Sequence, residues 1–238
     1  MTDTHAGARY ALYYAPPAGS AWWQQGSAWL GRCAVSGEVL PQPDIPGVDT
    51  TTLARLTEHP RRYGLHATLK PPFRLADGCA REDLLAACDR YARTHTAFTL
   101  PPLTVEHLPD FLALTPAHPD PRIDAIATAC VTQFDDYRAP LDRAELARRQ
   151  KSPLDAVERA LLERWGYPYV LERYRFHLSL TGPLMGTPQA IIAAVRRAAE
   201  LRAKALAGEA LRFDALCVFE EAPAGADFRL IHRAPFVP

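Results

Sequence analysis

A stretch of twelve residues occurs twice in this chain, 111 positions apart, and the repeat constrains the fold more than any other feature. Residues 62–73 read RYGLHATLKPPF, and residues 173–184 read RYRFHLSLTGPL. Arg, Tyr, His, Leu and Pro recur in register, and several other positions carry similar residues. Each copy alternates polar and apolar side chains, which is the pattern of a strand with one face buried.

The alternation predicts which side chains share a face. Residues two apart in a strand point to the same side. The polar face is then formed in the first copy by His66, Thr68 and Lys70, and in the second copy by His177, Ser179 and Thr181. Each polar face therefore carries an imidazole beside a hydroxyl.

The order of the predicted elements repeats around the two copies. Each half reads strand, helix, motif strand, helix, strand, turn and strand, so the pattern predicts an α+β fold of two pseudo-symmetric lobes. We expect one bilobal domain over residues 1–238, with lobes at roughly 9–110 and 111–238, in which the motif strands face each other across a central cleft. Residues 142–172 have no counterpart in the first half and are predicted to form a helical insertion.

Capping signals place several of the helices. Ser20 precedes a tryptophan-rich helix, and Asp120 followed by Pro121 opens a helix to about Tyr137. Ser152–Pro153 is predicted to begin a helix that ends at Trp165, and Thr187–Pro188 to begin one that ends near Leu206. Residues 98–105 and 211–219 are each predicted to be one strand.

The composition excludes some classes of protein. Lys plus Arg and Asp plus Glu are 27 each, so the formal net charge is zero and a general polyanion binder is disfavoured. Five scattered cysteines without a CxxC pair indicate reduced thiols. No apolar run has the length of a membrane span and the N-terminus lacks a signal sequence, so we expect a cytoplasmic protein without a membrane segment.

Two imidazoles in one cleft suit proton transfer. One neutral histidine can accept a proton while its protonated partner donates one, and two such groups titrate together. Thr68 and Ser179 can donate hydrogen bonds to oxygens that gain charge. A phosphate fits this arrangement, so we expect no metal and no cofactor.

The roles of the flanking residues stay open. Lys70 and Arg175 are equally compatible with steering an anion and with a solvated rim. Tyr63 and Tyr174 can pack in the core or stack on a base or sugar at the cleft mouth. Thr181 shares the polar face of the second copy and is a further candidate for substrate binding.

The paired motifs resemble a known signature. His66-Ala67-Thr68-Leu69 and His177-Leu178-Ser179-Leu180 are similar to the paired H-x-[T/S]-hydrophobic motifs of the two-histidine (2H), LigT-like phosphoesterase superfamily. The full sequence of residues 62–73 resembles that of a bacterial branch of this superfamily, the DUF1045 proteins associated with phosphonate operons. This resemblance implies two pseudo-symmetric α+β lobes, His66 and His177 as an acid–base pair, and Thr68 and Ser179 as donors to phosphate oxygens.

Repeat and resemblance together predict a metal-independent hydrolase, a cyclic phosphodiesterase for a 2′,3′-cyclic nucleotide or a cyclic ribose phosphate, with a role in phosphonate metabolism. Two alternatives stay open: an RNA-end ligase or exonuclease built on the same site, and a non-catalytic nucleotide-binding sensor. We expect a small phosphorylated ligand, no long nucleic acid, no membrane and a monomer.

Overall fold

The computed structural model describes residues 7–149 and 153–238, and within these ranges the chain forms nine strands and seven α-helices. The strands are β1 (Arg9–Tyr14), β2 (Ala67–Phe73), β3 (Phe98–Thr99), β4 (Leu103–His107), β5 (Leu112–Pro116), β6 (Leu178–Ser179), β7 (Arg212–Phe213), β8 (Ala215–Glu221) and β9 (Arg229–Pro235). The α-helices are α1 (Ala21–Leu30), α2 (Thr50–Arg61), α3 (Arg81–Ala92), α4 (Pro121–Gln133), α5 (Arg143–Arg149), α6 (Ala156–Trp165) and α7 (Gln189–Ala205). Two short 3-10 helices span Asp135–Tyr137 and Leu171–Arg173.

The strands form three antiparallel sheets, which confirms the α+β class. One sheet has the order β2-β1-β8-β9, the second has the order β4-β5-β6, and β3 pairs with β7. The two motif strands, β2 and β6, are edge strands of different sheets. An edge position suits β2, because Pro71 and Pro72 cannot donate to a neighbour on both sides.

The sheets do not follow the predicted boundary at residue 110. The four-stranded sheet joins β1 and β2 to β8 and β9, and the three-stranded sheet joins β4 to β5 and β6. The division into lobes at 9–110 and 111–238, within one bilobal domain, stays a prediction. None of the helices in residues 7–149 and 153–238 combines the length and the apolar character needed to cross a membrane.

Side-chain caps explain why the first helices begin where they do. The Ser20 side chain accepts from the Trp23 N–H at 3.2 Å, and the Asp49 carboxylate accepts from the Thr52 N–H at 2.8 Å. Asp120 caps α4 as predicted, although α4 ends at Gln133 and the 3-10 helix covers the remaining residues to Tyr137.

Other predicted boundaries are wrong for local reasons. The strand predicted over residues 98–105 is interrupted at Pro101–Pro102, so β3 and β4 belong to different sheets. The segment 211–219 is likewise divided into β7 and β8. Helix α6 begins after Asp155, whose capping box with Glu158 defines its start, and Ser152 lies outside the described residues.

The second motif forms much less strand than predicted. Only Leu178 and Ser179 pair with β5, and His177 precedes the strand. The first motif forms the seven-residue β2, although it begins one residue after His66. The two copies therefore share a sequence pattern but differ in backbone conformation.

Two helices bring the motifs close together. A Cβ on Gly26 of α1 would lie 2.2 Å from the Leu65 side chain, so only glycine permits this contact with the first motif. In the same helix the Trp29 indole N–H donates to the Leu180 carbonyl of the second motif at 2.8 Å. The Gly182 N–H donates to the Leu56 carbonyl of α2 at 2.7 Å. The buried face of α1 thus links both motifs.

Candidate functional site

The two motif histidines line one cleft, which has a volume of about 750 Å³. Thr68 and Ser179, the hydroxyl residues two positions further on, line the same cleft. All four side chains are half-buried, so each retains access to a ligand. The central part of the predicted site is therefore brought together.

Each imidazole is oriented by the backbone two residues before it. His66 Nδ1 lies 2.9 Å from the Gly64 carbonyl oxygen, and His177 Nδ1 lies 2.8 Å from the Arg175 carbonyl oxygen. Because a carbonyl can only accept, Nδ1 carries the proton in both rings and Nε2 keeps its lone pair. The Thr68 hydroxyl donates to His66 Nε2 at 3.3 Å.

Aromatic rings fix the first imidazole further. His66 stacks on Tyr13 with ring centroids 4.0 Å apart, and the Tyr63 ring lies 5.7 Å away. The ring of His177 lies 5.4 Å from that of Phe111 in a tilted arrangement. His66 is therefore held between aromatic side chains and its backbone carbonyl.

Burial keeps both histidines neutral at neutral pH. It lowers the pKa of His66 to about 4; the hydrogen bond to Gly64 opposes this shift, and the positive charges of His177 and His59 add to it. Burial also lowers the pKa of His177, against its backbone hydrogen bond and with the help of the Arg175 charge. Both shifts favour neutral imidazoles over the predicted pair in which one ring is protonated.

Lys70 is not in the cleft, which corrects its prediction as a substrate-binding residue. Its side chain is buried, and its Nζ donates to the Val131 carbonyl and to Asp135 Oδ1, both at 3.0 Å. The cause is a β-bulge: Thr68 pairs with Tyr13 and Lys70 with Leu12, so one extra residue of β2 lies between them. A bulge reverses the alternation, and Lys70 faces away from Thr68.

The other predicted residues line the cleft with different freedom to bind a ligand. Thr181 is buried, and its hydroxyl oxygen accepts from the Leu112 N–H at 3.0 Å. Tyr63 stacks on Phe228 with centroids 4.9 Å apart. The hydroxyl of Tyr174 is buried, and burial raises the pKa of that phenol. Thr181 and Tyr174 therefore line the cleft, but their hydroxyl groups are not directed at a ligand.

Arg175 is exposed and pairs with Glu106 at 2.6 Å, so its charge stays at the cleft rim. That position agrees with both predicted roles, anion steering and a solvated rim.

The structure adds cleft residues that the sequence did not indicate. They come from β1, from α2 and from the predicted insertion 142–172 with the residue that follows it: Arg9, His59, Arg149, Tyr167, Tyr169 and Arg173. Arg173 was in principle detectable, because it occupies the repeat position of Arg62. Within residues 7–149 and 153–238, no group of three or more His, Cys, Asp or Glu side chains is suited to hold a metal ion.

A buried acidic residue anchors the first motif beside this cleft. The fully buried Glu221 carboxylate binds both Arg9 and Arg62, and it accepts from the Gly225 N–H at 3.0 Å. Arg9 Nη2 lies 2.9 Å from Glu221 Oε1. The start of the first motif is therefore tied to strands β1 and β8 of the four-stranded sheet.

Fold and site thus define an α+β protein whose two histidine motifs meet in one cleft, and comparison with known proteins gives its family. The chain belongs to the DUF1045 family, described as "Protein of unknown function (DUF1045)", whose model matches residues 68–229.

Two curated relatives are named "Ribose 1,5-bisphosphate phosphokinase PhnN". The protein of Janthinobacterium sp. (strain Marseille) is 46% identical over 229 residues, which is 96% of this chain and 51% of the relative. The protein of Laribacter hongkongensis (strain HLHK9) is 39% identical over 225 residues, which is 93% of this chain and 50% of the relative. The chain therefore spans about half the length of these relatives.

These names overturn the predicted reaction. A phosphokinase is a transferase, so the predictions of a hydrolase and of a cyclic phosphodiesterase are wrong. Neither the RNA-end ligase or exonuclease nor the nucleotide sensor matches the name of the relatives.

Proposed function

We propose that this chain binds a phosphorylated ribose in the two-histidine cleft and exchanges protons with it, in support of phosphoryl transfer to ribose phosphates in phosphonate metabolism. The observation that carries the proposal is the shared cleft of His66, His177, Thr68 and Ser179. The names of the two relatives support a phosphorylated ribose as the ligand.

The sequence favours a role on the sugar phosphate over a role on a nucleoside triphosphate. The usual cradle for triphosphates, the GxxxxGK[ST] loop, does not occur in the 238 residues. The cleft instead offers two imidazole nitrogens and two hydroxyls, groups that bind a single phosphate well.

The electrostatics explain how the two imidazoles would bind a phosphate. An anion near a histidine favours its protonated form and raises its pKa. A bound phosphate is therefore expected to draw protons onto His66 and His177, whose Nε2–H groups then donate to the phosphate oxygens. Binding takes up protons and neutralises the anion, which suits transfer between two negatively charged groups.

The likeness to the 2H superfamily enters the proposal as an arrangement of the site only. We infer that the two motifs are equivalent parts of two pseudo-symmetric lobes, supported by the matching contacts of His66 with Gly64 and of His177 with Arg175. The hydrolytic chemistry of that superfamily is not carried over.

Calorimetric titration with ribose 5-phosphate, and with ribose as the unphosphorylated control, tests the proposal. We expect His66→Gln and His177→Gln each to weaken binding about 10- to 100-fold, the value of one charge-assisted hydrogen bond. His232→Gln is the matched control, since His232 pairs with Asp89 outside the cleft at 2.7 Å.

Two outcomes would reject the proposal. One is that the parent protein does not bind ribose 5-phosphate. The other is that this chain alone phosphorylates ribose 1,5-bisphosphate from ATP, with a rate that both cleft variants leave unchanged.

A further inference from the structure

The cleft is larger and more basic than one phosphate requires. At about 750 Å³ it lies in the range of sites for whole small molecules. Four arginines line it: Arg9, Arg149, Arg173 and Arg175. Among the described residues of its wall, Asp110 is the only one with a carboxylate. The protein as a whole has no net charge, so this concentration of positive charge is local.

Three of these four arginines pair with carboxylates that do not line the cleft, and the partner of Arg9 is the buried Glu221. Arg173 Nη2 lies 2.5 Å from Asp155, and Arg175 Nη2 lies 2.6 Å from Glu106. A guanidinium has five N–H donors in a planar fork, so one contact leaves others for a ligand. The Arg173 and Arg175 pairs are exposed, so both guanidinium groups stay accessible beside the cleft.

Arg149 and the aromatic residues of the insertion complete this side of the cleft. The Arg149 guanidinium lies 5.2 Å from the centre of the Tyr167 ring, within cation–π range, and Tyr169 packs edge-on against Tyr167 at 5.6 Å. Arg149, Tyr167, Tyr169 and Arg173 all line the cleft, and we call these four residues the arginine wall.

We propose that the arginine wall is a second phosphate site, which makes the cleft specific for a ribose that carries two phosphates. The inference rests on the proposed function, in which the first phosphate lies between His66 and His177. Arginine suits this role because its fork matches phosphate oxygens in pairs. Arg149, Tyr167 and Tyr169, which belong to the charged and aromatic stretch 142–172, then act in ligand selection.

The test compares two ligands on one set of proteins by calorimetric titration. The ligands are ribose 5-phosphate, with one phosphate, and ribose 1,5-bisphosphate, with two. We expect the parent to bind the bisphosphate at least about 10-fold more tightly, as one added charge-assisted contact provides. Arg173→Gln and Arg149→Gln should reduce the affinity for the bisphosphate severalfold more than the affinity for ribose 5-phosphate.

Arg196→Gln is the matched control, because Arg196 lies on α7, pairs with Glu200 at 2.8 Å and does not line the cleft. It should keep the full preference.

The outcomes separate this inference from the proposed function. If the parent binds ribose 5-phosphate but binds the bisphosphate no more tightly, the second site is refuted and the first stands. Equal losses for both ligands in the arginine variants would also refute it, since the wall would then serve the first phosphate or the fold. Tighter binding of 5′-AMP than of the bisphosphate would assign the wall to a nucleobase instead. Failure to bind either ribose phosphate refutes both proposals.

Discussion

The two copies of the repeated motif reach the same local geometry from different surroundings. In the first copy, Gly64 has a φ of 78° and its carbonyl accepts from His66. In the second, the Arg175 carbonyl accepts from His177. The positive φ on this side lies at Leu171, two residues before the motif, and Leu171 is the only non-glycine residue in the described ranges with a positive φ. The contact between the imidazole and the carbonyl is therefore kept although the backbone is not.

The surroundings differ most at the arginine that opens each copy. Arg62 binds Glu221, whose side chain is 0% exposed, whereas Arg173 binds Asp155, whose side chain is 50% exposed. The first copy is part of the core of the four-stranded sheet, and the second lies at the surface beside the insertion. The difference shows that one sequence pattern can be anchored by burial on one side of a cleft and by solvated charges on the other.

The largest expected effect contrasts these two anchors. Glu221→Gln leaves Arg9 and Arg62 without their buried counter-ion, so we expect the free energy of unfolding to fall by about 3–5 kcal/mol. Asp155→Asn keeps a helix-capping oxygen and removes an exposed pair, so we expect a loss below about 1 kcal/mol. Urea unfolding of both variants measures the contrast, and similar losses would contradict it.

The next effect concerns the pH dependence of stability. The folded-state pKa of His66, about 4, lies below its ordinary value of 6.5. Between pH 4 and pH 6.5 the unfolded chain therefore binds a proton at His66 that the folded chain does not. Stability is therefore lost as the pH falls from 6.5 towards 4, by about 3 kcal/mol at 1.36 kcal/mol per pH unit.

His66→Gln should remove this part of the pH dependence, measured by urea unfolding between pH 4 and 7. An unchanged slope would show that His66 is solvated. His177→Gln in the same series compares the burial of the two imidazoles directly.

A smaller expected effect is that Lys70 contributes to stability and not to ligand binding. Lys70→Met removes the donor to Asp135 and to the Val131 carbonyl, and Asp135 keeps its hydrogen bonds to Arg138 at 2.8 and 3.1 Å. We expect a loss of about 2 kcal/mol, the scale of one buried polar group left unpaired. Affinity for ribose 5-phosphate should not change, and a large loss of affinity would return Lys70 to the cleft.

What the sequence could predict was local. The caps at Ser20 and Asp120 act within one helical turn, and the alternation within each motif brings His66 with Thr68, and His177 with Ser179, to the cleft. These features depend on neighbouring residues, so the chain itself contains the information.

The features that the sequence could not predict depend on contacts between residues far apart in the chain. The bulge that turns Lys70 away exists only because β2 pairs with β1 in a particular register. The sheet that joins β1 to β8 brings together residues more than 200 positions apart. Arg9 reaches the cleft through such long-range pairing, and nothing in its local sequence marks it.

The central claim is that the imidazoles of both copies bind one phosphate, and a proton NMR titration of the histidine ring signals tests it most directly. The signals would be assigned with His66→Gln and His177→Gln, and pH titrations recorded with and without saturating ribose 5-phosphate. We expect the ligand to raise the pKa of both His66 and His177 and to leave the ring signals of His232 at a given pH where they are in its absence. A ligand that raises the pKa of only one of the two, or of neither, would contradict the account.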